Sequence, residues 1–274
     1  MTRKFEYKIG VIGSGNMGEA LIRGLLRSKL VKPYQLIATD RNGEKLASFR
    51  RKYRIHTSSS NGEALEGAQT IILAVKPQNM DEVLPEIRRD LKKEHLVISI
   101  AAGIDTKKLR RGLGNHVPLV RVMPNLPALI DAGIAGVYYT NSVSPRQKRF
   151  VHQIFEAVGK SIEVPKEKWL DAITGLSGTG PAYVFALIEG LIQAGKKVGL
   201  PQSMVKKLTL ETVWGAAQMA LQTGIAPEKL RAKVTSKKGT TWAAMKVFKK
   251  FHFWDSLVHA VQAATKRARQ LRGK

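Results

Sequence analysis

The sequence predicts an α/β fold in which a mainly parallel sheet with helices on both faces is followed by an all-helical domain. Two observations predict it. Up to about residue 165, short β-rich runs alternate with stretches of helical apolar spacing, which is the rhythm of βαβ units. From Pro165 onward the strand signal all but stops and long apolar helical stretches replace it. The expected domains are therefore 1–165 and 166–274. With 274 residues, 43% of them hydrophobic, the chain can build proper cores and is not disordered.

Tyr7–Ile12 (YKIGVI) reads as a buried strand, followed by a helix over Met17–Ser28 with Met17, Ala20, Leu21 and Leu25 on one face. Gln35–Thr39 is a second strand, Gly43–Lys52 a helix and Arg54–His56 a short third strand. Thr70–Val75 has no polar residue after Thr70, so it is central. Asp81–Leu91 is helical, and Leu96–Ile100 and Leu119–Met123 are strands. Gly136–Thr140 and Ser161–Val164 add two more around a helix at Pro145–Val158. Trp169–Leu176 is helical, and Pro181 opens a long helix to Lys197 with proline in its first turn. Gly199-Leu200-Pro201 breaks it, and helices follow at Pro201–Gln222, Pro227–Lys233, Thr240–Lys250 and Trp254–Arg272. Several of these are apolar on more than one side, which predicts subunit association.

The absence of cysteine excludes a disulfide framework, a thiol nucleophile and a cysteine-ligated metal site. The six histidines show no i,i+4 pair, so no metal is expected. No apolar run approaches the roughly 20 residues that cross a bilayer. The chain runs from Met1 straight into a strand pattern, so no signal peptide is expected and the protein is expected to be cytoplasmic. The net charge of +25 and pI near 10.4 predict attraction to polyanions. The excess is spread, however, with 27 basic and 15 acidic residues up to 165 and 19 and 6 after it. A solvated basic surface, with no specific nucleic acid and no membrane as partner, is the preferred reading.

Gly13-Ser14-Gly15-Asn16-Met17-Gly18 reads G-x-G-x-x-G. The string alone is weak, but here it follows a buried strand and opens a helix, as a dinucleotide fingerprint requires. Gly13 permits the turn, Gly15 lets backbone approach a pyrophosphate, and Gly18 lets helix pack on strand. Free N–H groups at the positive helix end then hold the phosphates. The second strand ends at Thr39-Asp40-Arg41-Asn42, and Asp40 lies 22 residues after Gly18. An acid there bonds a ribose 2′-hydroxyl and favours NAD. Arg41 beside it, with Thr39 and Asn42, can hold a 2′-phosphate, so the expectation leans to NADP with NAD also accepted. The competing reading of Arg41 is a solvated loop charge. Ala74-Val75-Lys76-Pro77 closes the central strand, and Asn61, Ala101 and Ala102 line the same carboxyl edge, where small residues leave room for a cofactor. Packing explains Ala101 and Ala102 about as well.

Near the end stands Val234-Thr235-Ser236-Lys237-Lys238-Gly239-Thr240-Thr241, a hydroxyl-rich turn before a helix. Such a turn makes an anion site, although on spacing alone a simple N-cap by Thr240 is the better reading.

VIGSGNMGEALIRGLL (11–26), AVKPQNM (74–80), SIAAG (99–103), RVMPNLP (121–127), GLSGTGPAYVF (175–185), VTSKKGTTWAAM (234–245) and AVQAATKRARQL (260–271) together carry a resemblance that runs from Lys8 to about Leu271. By these blocks the chain resembles the pyrroline-5-carboxylate reductase family. The resemblance implies reduction of 1-pyrroline-5-carboxylate to L-proline with NAD(P)H, on a Rossmann-type domain followed by a helical dimerisation domain. It also implies a homodimer with interlocked helices, often assembled into decamers, and an active site that includes the partner's helical elements. Ser236, Gly239, Thr240 and Thr241 resemble the family's substrate-carboxylate turn, and Thr241 the threonine that faces the substrate nitrogen.

The family turn usually reads S-P-G-G-[TA]-T, whereas Lys237 and Lys238 stand here. A glycine at positive φ resists replacement by lysine by about 1 kcal/mol or more, which predicts a rearranged loop. The two lysines would strengthen anion capture or over-hold the product. Phe251-His252-Phe253 likewise stands where the family usually carries glycine. The competing functions are a β-hydroxyacid dehydrogenase, a reductase of a different cyclic imine, and a non-catalytic basic paralogue that binds polyanions.

Overall fold

In the computed structural model, which describes residues 6–272, the apolar runs of the first part become eight strands of one sheet. The chain runs β1 (Tyr7–Ile12), α1 (Asn16–Arg27), β2 (Leu36–Thr39), α2 (Gly43–Tyr53), β3 (His56–Ser58), α3 (Asn61–Gly67) and β4 (Ala68–Leu73). It continues α4 (Met80–Arg88), β5 (Leu96–Ser99), α5 (Thr106–Leu113), β6 (Leu119–Met123), β7 (Gly133–Tyr139), α6 (Pro145–Glu156), β8 (Gly159–Glu163) and α7 (Trp169–Ile173). The sheet order is β3-β2-β1-β4-β5-β6-β7-β8, parallel from β3 to β6, with β7 antiparallel to β6 and β8 parallel to β7. The order reverses between β1 and β4, and the carboxyl ends of those strands therefore open a crevice.

Residues alternate between two buried faces. Ile9, Val11, Ile72, Leu96 and Ile98 pack with Leu21, Leu25, Ile154 and Phe155 under α1 and α6. Ile12, Ile71, Leu73 and Val97 pack with Leu65, Leu84 and Leu109 under α3, α4 and α5. Burial on both faces is why these strands read as unbroken apolar runs.

The helical part comprises α8 (Gly180–Lys197), α9 (Gln202–Thr223), α10 (Pro227–Lys233), α11 (Thr240–Lys250) and α12 (Phe253–Arg272). By internal contacts the chain divides after Thr179, and the chain from Ala264 on belongs to the first unit again. Taken by itself, the second unit leaves Phe185, Leu187, Leu191, Leu208 and Trp214 exposed, and α8 has no buried residue. Apolar faces of this extent mark an association surface. No helix among the described residues is long and apolar enough to cross a membrane.

Several expectations shift. The third strand starts at His56 rather than Arg54, because Arg54 caps α2 in the left-handed conformation (φ 54°) and cannot be extended. Gln35 belongs to a 3-10 turn, so the second strand starts at Leu36. The central strand begins earlier, at Ala68, and ends at Leu73 before the turn at Pro77. Helix α5, capped by Asp105 accepting the Lys108 N–H at 2.7 Å, was hidden in the basic run TKKLRRGL. The expected helix at Trp169–Leu176 is α-helical only to Ile173, and a wider π-type turn carries it to Gly178.

Candidate active site

The Gly13–Gly18 loop joins β1 to α1 at the switch point. Gly13 has φ 105°, and a Cβ there would lie 2.8 Å from the Ala74 carbonyl carbon and the Val75 nitrogen. A Cβ on Gly18 would strike the Gly13 carbonyl oxygen. These two glycines serve the fold. Gly15 is different: it has φ −74°, and apart from its chain neighbours no atom lies within 4 Å of where its Cβ would stand. The space above Gly15, in front of the free first-turn amides of Asn16, Met17 and Gly18, is what a pyrophosphate needs.

Asp40 closes one side of the loop. Its Oδ2 accepts from both the backbone N–H and the hydroxyl of Ser14 at 2.7 Å, and its Oδ1 from the Asn42 N–H at 2.9 Å. Burial alone would raise this carboxyl, but the hydrogen bonds from Ser14 and Asn42 outweigh it and hold the group below its usual 3.8. Its stabilising effect is full above the ordinary carboxylate range and is lost as the pH falls through the lowered value. Arg41 is exposed and pairs with Glu82 at 2.7 Å. The buried Thr39 hydroxyl donates to Asn61 Oδ1 at 2.5 Å, and Asn61 Nδ2 donates to Glu86 at 3.1 Å.

A cavity of about 140 Å³ gathers Gly13, Thr39, Asp40, Arg41, Asn61 and Val75. Ser59, Asn79, Val83 and Glu86 join its lining; of these, only Asn79 lies in a motif the sequence singled out. Ala74, Lys76, Pro77, Ala101 and Ala102 follow the carboxyl ends of β4 and β5, with Ala101 buried and Lys76 exposed, and none of them lines this cavity.

The second cluster lies in the helical unit. Gly239, not Thr240, is the N-cap of α11, and no side chain caps that helix. The hydroxyls of Ser236, Thr240 and Thr241 make no hydrogen bond among the described residues, so the N-cap reading of Thr240 is corrected. A Cβ on Gly239 would meet the Ser236 hydroxyl, and the Gly239 N–H donates to the Ser236 carbonyl at 3.0 Å. Thr241 is half-buried at the start of the helix. Lys238 holds φ 60° and His252 φ 52°, so both positions where glycine was expected carry a left-handed residue.

A left-handed lysine costs about 1–2 kcal/mol in backbone energy, part of which glycine's extra unfolded freedom cancels. Lys238→Gly is therefore expected to stabilise the chain by about 0.5–1 kcal/mol, read as a higher melting temperature. A lower one would show that the lysine side chain holds the turn.

Residues 8–103 match a family model described as NADP oxidoreductase coenzyme F420-dependent, and residues 167–271 match pyrroline-5-carboxylate reductase dimerisation. The pyrroline-5-carboxylate reductase of Pseudomonas aeruginosa is 41% identical over 264 residues, covering 96% of each chain. The chain belongs to the pyrroline-5-carboxylate reductase family. The solved family structure from Coxiella burnetii is similar at TM-score 0.90 and 36% identity, covering 97% of this chain and 98% of that one. The Plasmodium falciparum pyrroline carboxylate reductase, solved with NADP bound, is similar at TM-score 0.88 and 31% identity, covering 98% of this chain and all of that one. The sheet topology and the helical second part are those the family resemblance implied.

Proposed function

We propose that the chain reduces 1-pyrroline-5-carboxylate to L-proline with NADPH, NADH being accepted in its place, as the last step of proline biosynthesis. The observation that carries this reading is the relation to a reductase of that name at 41% identity across 96% of both chains. The open space above Gly15 fits the cofactor's pyrophosphate.

When bound, the reduced nicotinamide supplies a hydride. The chain's own residues bind and orient. The amides that open α1 hold the pyrophosphate, and Asp40, ionised at neutral pH, fixes the glycine loop through Ser14. Arg41 turns to the 2′-phosphate at little cost, because its exposed pair with Glu82 is worth at most about 1 kcal/mol. Ser236, Thr240 and the first-turn amides of α11 hold the substrate carboxylate, and the Thr241 hydroxyl steadies the imine nitrogen. A protonated cyclic imine has an electrophilic carbon already, so the protein supplies proximity and orientation, worth up to roughly 7–11 kcal/mol in ideal cases. The exposed apolar faces of α8 and α9 make the homodimer, and dimers assemble further into decamers in the cytoplasm.

Absorbance at the nicotinamide band with pyrroline-5-carboxylate and each cofactor tests the reading. Oxidation of both, faster for NADPH, is expected; none with either, from folded protein, overturns it. Thr241→Val is expected to lower kcat/KM about 10- to 100-fold, the worth of roughly one hydrogen bond to a charged group, with NADPH affinity unchanged. Full activity would remove Thr241 from the mechanism.

A further inference from the structure

We infer that the cleft between α4, α5 and the end of α12 binds a compact polyphosphate anion at a site separate from the cofactor loop. The cleft has a volume of about 660 Å³, within the usual range for small-molecule sites. Lys107, Lys108 and Arg111 line it from α5, and Arg269 and Arg272 from α12. Apolar Leu84 and Pro85 of α4 also line it, and Leu84 lies against Gly112 of α5, where a Cβ would come within 2.7 Å of Leu84 Cβ.

The charges do not cancel. Lys108 pairs with Asp81 at 2.9 Å, Arg272 pairs with the buried Asp171 at 3.0 Å, and Asp105 is engaged in capping α5. Lys107, Arg111 and Arg269 have no ion pair among the described residues. Lys107 and Arg111 are four apart on one helix, a spacing that repels by several tenths of a kcal/mol. Cations from two sequence-distant segments thus converge on one concave volume, five of them against the carboxylates of Asp81, Asp105 and Asp171, which leaves an excess of two positive charges. Ammonium and guanidinium groups in that arrangement select phosphate oxygens, the guanidinium by paired hydrogen bonds. Helix α4 separates the two sites: Val83 and Glu86 face the cofactor cavity, whereas Asp81, Leu84 and Pro85 face the cleft.

Calorimetric titration of the full chain with tripolyphosphate, in saturating NADP⁺ to fill the cofactor loop, tests this. One saturable site per chain is expected. Arg111→Ala combined with Arg269→Ala, both exposed positions, is expected to weaken it at least tenfold. Lys206→Ala combined with Lys207→Ala, exposed on α9, leaves it unchanged. Amide exchange in residues 105–113 and 265–272 of the unsubstituted chain slows on adding tripolyphosphate. ATP in the same titration separates the sources: tighter binding than tripolyphosphate identifies a nucleotide, and equal binding a free polyphosphate. Binding abolished by NADP⁺, weakened equally by both pairs of substitutions, or never saturating overturns the site and leaves only the diffuse attraction of a +25 chain. Cofactor binding and turnover are measured separately, so failure here does not touch the reductase reading.

Discussion

Asp171→Ala is expected to cost the chain about 3–5 kcal/mol, seen as a fall of roughly 10 °C or more in melting temperature. Asp171 of α7 is 1% exposed, and it faces Arg121 of β6, which is 3% exposed. Neither carboxylate oxygen accepts a well-aligned hydrogen bond; charge holds the group, with Arg121 Nη2 at 3.8 Å and Arg272 Nη1 at 3.0 Å. Glu167 takes the other side of Arg121 at 3.3 Å, but it is also committed to the Thr106 N–H and hydroxyl at 2.7 Å. Removing Asp171 leaves a buried guanidinium with one long, shared partner and releases the end of α12. Arg272→Gln takes the nearer cation from a carboxylate that is 1% exposed and leaves it only Arg121 at 3.8 Å, so it is expected to cost about 2–3 kcal/mol, less than Asp171→Ala because Arg272 itself is 30% exposed. Replacing both buried partners, Asp171→Leu with Arg121→Met, is expected to recover most of the loss, because matched apolar groups carry no desolvation penalty. If Asp171→Ala melts within about 2 °C of the parent, the pair contributes little and the account fails.

How much of this was legible in the sequence depends on what each feature needs. Tyr7–Ile12 and Leu119–Met123 emerge with the expected bounds because both faces of the sheet are buried, which leaves an unmistakable apolar run. Helix α5 was hidden because only Leu109 and Leu113 of its eight residues are buried, and with four basic residues among the eight its apolar stripe is too short to stand out. Pro165 ends the last strand signal, yet the compact units divide at Thr179 because α7 packs against the sheet, a tertiary preference that composition does not record. In the site, the glycine spacing identified the loop. Glu86 was out of reach, since it meets Asn61 only once α3 and α4 are side by side. The lysine at Lys238 predicted a rearranged turn. In the structure Lys238 itself takes the left-handed conformation, and the Gly239 N–H bonds the Ser236 carbonyl across the turn.

Gly15→Val is expected to leave the fold intact and to weaken NADP⁺ binding by about 100-fold or more. The backbone at Gly15, φ −74°, suits any L-residue, and a Cβ there would have no atom within 4 Å apart from its own chain neighbours. Stability should therefore change by less than about 1 kcal/mol. The phosphates, however, need that space to reach the amides of α1. Losing two hydrogen bonds to a charged group costs roughly 3 kcal/mol or more, which is about 100-fold in affinity. Gly13→Ala, two residues earlier in the same motif, is expected to do the reverse damage first. At φ 105° an L-residue is strained, and its Cβ would lie 2.8 Å from backbone atoms of Ala74 and Val75, where β1 and β4 run side by side. That variant should melt several degrees lower before any ligand is added. Calorimetric NADP⁺ binding and thermal melting, measured on both proteins, separate the two roles. Unchanged affinity in folded Gly15→Val would mean that the pyrophosphate does not cross Gly15, and the cofactor loop would have to be sought elsewhere on the sheet edge.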